Sequence, residues 1–145
     1  MIELLATITI MASSIFLFGY WFRYSCLLII SARTCKDYAA ALVQSNGLRF
    51  PEVQSLLREN AETDLDRLRD SLDRDYALIR GLMKQVSIDS PLEERIVALN
   101  YRVMGAWYRV SAQFSVRAAR QALEEMSMVV AHMANSVGEC AASAA

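Results

Sequence analysis

The chain has 145 residues, 54% of them hydrophobic, and 15 Lys and Arg against 16 Asp and Glu for a formal net charge of −1. That is room for one modest domain, and the even charge argues against nucleic acid, which calls for a basic excess. With five Gly and two Pro in a background rich in Ala, Leu, Arg and Glu, the composition predicts an all-α fold of long helices.

Nineteen uncharged residues, Leu4 to Phe22, come first. At about 1.5 Å per helical residue they suffice to cross a hydrocarbon core of about 30 Å. Glu3 stands where a secretory signal is basic, the apolar run is too long for one, and no Ala-x-Ala follows. Residues 1–32 are therefore read as a retained transmembrane anchor. Tyr20, Trp21, Arg23 and Tyr24 suit the headgroup layer of a lipid bilayer. A span shifted to Ile8–Ile30 would instead hold Arg23 inside the membrane, snorkelling or paired. Arg23, Arg33 and Lys36 all follow the apolar run, which by the positive-inside rule puts the N-terminus outside and the C-terminal domain in the cytoplasm.

Residues 33–47 read as an Ala-rich, membrane-proximal extension of the anchor helix, ended by Asn46-Gly47. Residues 48–137 read as a coiled-coil-like antiparallel helical hairpin, and 138–145 as a flexible tail. The first rod, Pro51–Val86, carries Ala61, Leu65, Leu68, Leu72, Tyr76, Ile79, Met83 and Val86 at steps of three and four, with one irregular step after Leu72. Ser90-Pro91-Leu92-Glu93 is a capping box, and the short loop Ser87–Ser90 before it predicts antiparallel neighbours. The second rod, Pro91–Asn135, has two stripes. Leu92, Ile96, Leu99, Val103, Trp107, Val110 and Phe114 form one, and Val97, Tyr101, Met104 and Tyr108 the other. Its Met126–Met133 stretch is expected to return to the level of Phe50 and Tyr38–Val43.

Little in the chain suggests chemistry. His132 is the only histidine and belongs to no Glu-x-x-His motif; no Gly-rich phosphate loop occurs; Cys26, Cys35 and Cys140 lack zinc or thioredoxin spacing. No catalytic residue, metal or cofactor is predicted, and the reading is non-enzymatic. Facing positions across the hairpin would put Arg102 near Asp75 and Arg117 near Asp64, as flanking ion pairs worth about 0–1 kcal/mol each. The row Arg95, Arg102, Arg109 could alternatively meet an anionic ligand.

The first rod offers one narrow seam to a much broader face. Tyr101, Met104 and Tyr108, far from the membrane end, are therefore predicted to contact a protein partner or a second copy in a homo-oligomer. The expected role is a membrane-tethered helical scaffold or accessory subunit of a membrane-associated complex. The alternative is a transmembrane signalling element relaying motion from the span into the hairpin.

Overall fold

A computed structural model describes residues 1–31, 38–59, 64–86 and 91–144. These form six helices and no strand: α1 (Ile2–Ser31), α2 (Ala39–Asn46), α3 (Phe50–Arg58), α4 (Leu65–Gln85), α5 (Pro91–Ser111) and α6 (Val116–Ala144). They fall into two compact units, Met1–Ala32 and Arg33–Ala145.

The first unit is α1, whose 30 residues make it long and apolar enough to span a membrane. Its side chains are exposed or half-exposed apart from buried Cys26. The Thr7 and Thr9 hydroxyls donate back to the carbonyls of Glu3 and Leu5, at 2.8 Å each, so neither is left without a partner on an apolar helix. Tyr20 stacks on Tyr24 with ring centroids 6.5 Å apart, and Trp21 meets Tyr24 edge-on at 6.3 Å. The expected interfacial cluster is thus one continuous aromatic patch, and Arg23 beside it is half-buried. Arg33, Cys35 and Lys36 lie outside the described residues.

The second unit is organised around α6, against which α2, α3, α4 and α5 all pack. Its buried residues include Ala119, Leu123, Met126, Val130, Met133 and Val137. Together with Ala122, Val129, Ala134 and Gly138 they span about 180° of the helix, where a single neighbour needs about 100°. α4 contributes Leu68, Leu72, Ile79 and Met83, largely the predicted seam, and α3 contributes Phe50, Val53 and Leu57. Each such side chain, fully buried, contributes about 1.5–3 kcal/mol.

Four sequence-based expectations change. Tyr38 precedes α2 as its N-cap, so the anchor helix expected to run unbroken to Asn46 is interrupted there. The first rod is α3 and α4. Asp64 starts α4 by accepting the Asp66 amide at 3.1 Å, and residues 60–63 lie outside the described ones. The second rod breaks at Ala112–Ser115, where the Phe114 amide bonds the Ser111 carbonyl at 3.0 Å. Ser115 Oγ then accepts the Ala118 amide at 3.3 Å and opens α6. In both rods a short polar side chain captures an amide that an uninterrupted helix would have used. The two-rod hairpin is therefore replaced by a five-helix unit. Finally, the expected flexible tail after Gly138 continues α6 to Ala144. The loop 87–90, with the Ser90 half of the capping box, lies outside the described residues.

Gly47 ends α2 as read from the sequence, with φ 64° and its amide on the Val43 carbonyl at 2.9 Å. α6 also returns to the start of this unit: the Tyr38 amide donates to Asn135 Oδ1 at 2.8 Å. Gly138 makes that approach possible, since a Cβ there would lie 2.5 Å from Tyr38 Cβ and 3.1 Å from its carbonyl oxygen. Gly105, by contrast, has only Met126 Cε, at 3.9 Å, within reach. Gly138→Ala should destabilise the full chain by about 1–3 kcal/mol through overpacking, whereas Gly105→Ala should be neutral or stabilising by up to about 1 kcal/mol. Thermal unfolding in detergent, followed by circular dichroism, checks both; equal behaviour would contradict the close approach.

Candidate functional site

α5 presents two faces. Val97, Asn100, Tyr101, Met104, Tyr108 and Ser111 are buried, facing the helical core. The predicted contact residues Tyr101, Met104 and Tyr108 are only 5%, 6% and 3% exposed, so this chain itself covers them. The neighbouring stripe is the outward one. Leu92, Leu99, Val103, Trp107 and Val110 are exposed along α5, Ile96 is half-buried, and Phe114 follows just past the helix.

The reversal has a physical cause in the space between α4 and α5. Their backbones make no close approach to each other, and long polar-tipped side chains bridge the gap. Tyr76 and Tyr101 stack with centroids 3.9 Å apart and planes 1° from parallel. The Tyr101 hydroxyl donates to Asp73 Oδ1 at 2.7 Å and the Tyr108 hydroxyl to Asp66 Oδ1 at 2.8 Å. Seven residues forward on α5 match seven backward on α4, so these two helices run in opposite directions. The Arg69 guanidinium lies 5.4 Å from the centre of the Tyr108 ring, and its Nε is 3.8 Å from Asp73 Oδ2. Hydrogen bonds to charged groups contribute about 1.5–3 kcal/mol and an aromatic pair about 0.5–1.5 kcal/mol. An apolar stripe of Leu and Val would forgo all of these. Burial, then the hydrogen bond to Asp66, pushes the Tyr108 hydroxyl up to about 12. The same causes, with Asp73 as acceptor, raise Tyr101 further. Both therefore remain donors at neutral pH.

The predicted ion pairs do not form among the described residues. Asp75 is buried, and its Oδ2 accepts the amides of Arg49 at 2.7 Å and Phe50 at 2.6 Å. It caps the N-terminus of α3 from another helix. Arg102 is exposed on the far side of α5. Asp64 is spent on capping α4, and Arg117 is exposed. Arg95 and Arg109 are exposed as well, so the arginine row lines one edge of the outward stripe.

Two concavities lie elsewhere. One is a small hollow walled by Met83, Glu93, Val97, His132 and Met133, with His132 Nε2 3.4 Å from Glu93 Oε1. The other is an open cleft between α3 and α4, where Arg49, Arg67 and Arg74 alternate with Glu52 and Asp70. The mixed signs of that cleft concentrate no single charge. Among the described residues no three His, Cys, Asp or Glu side chains are grouped to hold a metal. No protein-family profile matches the sequence, and neither a curated protein nor a solved structure matches the chain.

Burial raises the Asp75 carboxyl above its ordinary value, while the Arg49 and Phe50 amides and the Arg49 charge pull it down. The native carboxyl therefore holds its proton to higher pH than the unfolded chain does. Stability from this site falls as pH rises from the ordinary carboxylate range through the raised value. Asp75→Ala, which leaves both amides without an acceptor, should cost about 1–3 kcal/mol at neutral pH. Asp75→Asn should cost less and flatten that pH slope. Unfolding midpoints across mildly acidic pH test this; an unchanged slope in the Asn variant would refute the assignment.

Proposed function

We propose that the chain is a membrane-tethered helical scaffold or accessory subunit, acting by protein–protein contact through the outward face of α5. The observation that carries this reading is the exposed row Leu99, Val103, Trp107 and Val110, with Trp107 52% and Val110 51% exposed on a helix whose other face is already packed. Contiguous apolar surface of this kind is costly in water and marks interaction sites; Trp and Arg are among the residues enriched there. The aqueous unit is joined to a helix apolar enough to cross a bilayer, so the contact would form close to a membrane surface. Arg23, Arg33 and Lys36 on the C-terminal side of the apolar run support an outside N-terminus and a cytoplasmic helical unit, consistent with the positive-inside rule.

The contact residues move from Tyr101, Met104 and Tyr108 to the neighbouring stripe. Trp107→Asp should leave helical content intact and reduce the mass of the detergent-solubilised particle. Tyr108→Glu, which puts a charge into the core beside Asp66, should instead destabilise the unit by about 3 kcal/mol or more. Light scattering paired with circular dichroism reads both. A Trp107→Asp particle of unchanged mass would count against the proposal.

A further inference from the structure

We infer that the outward stripe of α5 is covered by one amphipathic helix of a different protein, whose flank carries Asp or Glu a heptad apart. This rests on the reading of α5 as the contact face and names the chemistry of what it meets. Ile96, Val103 and Val110 recur every seven residues, and Leu92, Leu99 and Ala106 precede them by four. Ile96 is half-buried and the other five are exposed. β-branched residues in the first row and leucines in the second are what the a and d positions of a two-stranded coiled coil call for. Over the 21 residues of α5 this seam is about 30 Å long. It has the pattern of one strand of such a pair, laid on the outside of a packed unit.

The charge beside the seam selects the occupant. Arg95, Arg102 and Arg109 each stand one residue before an a position, on the g flank, where charges between helices set the choice of partner. All three are exposed, and none makes an ion pair or hydrogen bond among the described residues. No Asp or Glu occurs between Glu94 and Glu124, so α5 itself cannot offset the row. A second copy does not supply the counter-charge. Antiparallel, its α5 would bring Arg against Arg. Parallel, the row would meet the e flank, where Asn100, Trp107 and Phe114 follow Glu93 and none of the three is acidic. Glu93 itself already lies 3.4 Å from His132 Nε2. The acidic helix α4 buries its own seam of Leu68, Leu72, Ile79 and Met83. A helix lying in a bilayer surface borders its apolar face with polar side chains that reach water on both sides. Here one of the two borders is Asn100 and Ser111, both buried against protein.

Peptide titration of the full chain in detergent tests this, with Trp21→Phe so that Trp107 is the sole tryptophan reporter. The probes are two synthetic helices that share a Val and Leu seam as long as α5. One carries Glu on both flanks and the other carries Lys. The Glu helix should shift Trp107 emission and bind about tenfold more tightly than the Lys helix, a gap that closes at about 1 M salt. Arg102→Glu should shrink or reverse the preference, while Arg117→Glu, outside the row, should leave it unchanged. Equal binding of the two helices, or equal loss in both variants, would overturn the acidic partner. Binding of neither helix would overturn a helical occupant. In each of these cases the contact reading stands if Trp107→Asp still lowers the particle mass, and falls if it does not. A Trp107 shift on transfer from phosphatidylcholine to phosphatidylserine bilayers, without peptide, would assign the stripe to lipid and remove both.

Discussion

The apolar arc of α6 is the constraint on which the second unit depends. About half the circumference of one helix must be kept from water, and α2, α3, α4 and α5 share that task. Each gives α6 a single face. For α2 and α3, short helices of 8 and 9 residues, one face is nearly all there is to give. α4 is strongly amphipathic, and its other side is charged. α5 alone has two apolar stripes, and α6 can take only one of them. The exposed row from Leu92 to Val110 thus follows from the geometry of the hub, independently of any assumption about a partner.

The choice between the two stripes is made by polar groups. Tyr101 and Tyr108 bring hydroxyls to Asp73 and Asp66 across a gap that shorter apolar side chains would leave open. The pairings fix direction and register between α4 and α5 without requiring their backbones to touch. Asp75 does comparable work between α4 and α3, holding the Arg49 and Phe50 amides so that α3 starts where Phe50 can be buried. These bonds are individually modest, but each would be lost by a one-residue slip. They specify the packing more than they strengthen it.

Much of this was legible in the sequence, and the failures have identifiable causes. The length and composition of α1, the Gly47 stop, Pro51 in the first turn of α3 and the α4 seam all depend on short-range pattern. The break at Ser115 is also local, a capping side chain in an otherwise helical stretch, but no Gly or Pro accompanies it to mark a stop. Asp75 could not have been found this way, since its partners stand about 25 residues back in the chain. The inverted faces of α5 lie between these cases. Ranking by hydrophobicity favours Leu, Val and Trp for the interior and leaves tyrosines outside. The signal that reverses it is a match of two steps of seven, Asp66 to Asp73 and Tyr101 to Tyr108. It becomes visible only when the two helices are considered together.

The position of α6 as the last of the six helices has a consequence for how the molecule is made. A ribosome delivers α1 first, and α2 to α5 emerge before the surface they all need exists. Among the described residues of these four helices, only those of α3 and α4 pack on each other. The bond from Tyr38 to Asn135 joins residues 97 apart, so α2 must wait until α6 has been made. The nascent chain therefore passes through an interval with its greasy surfaces uncovered. It is then that a chaperone has most opportunity to engage it.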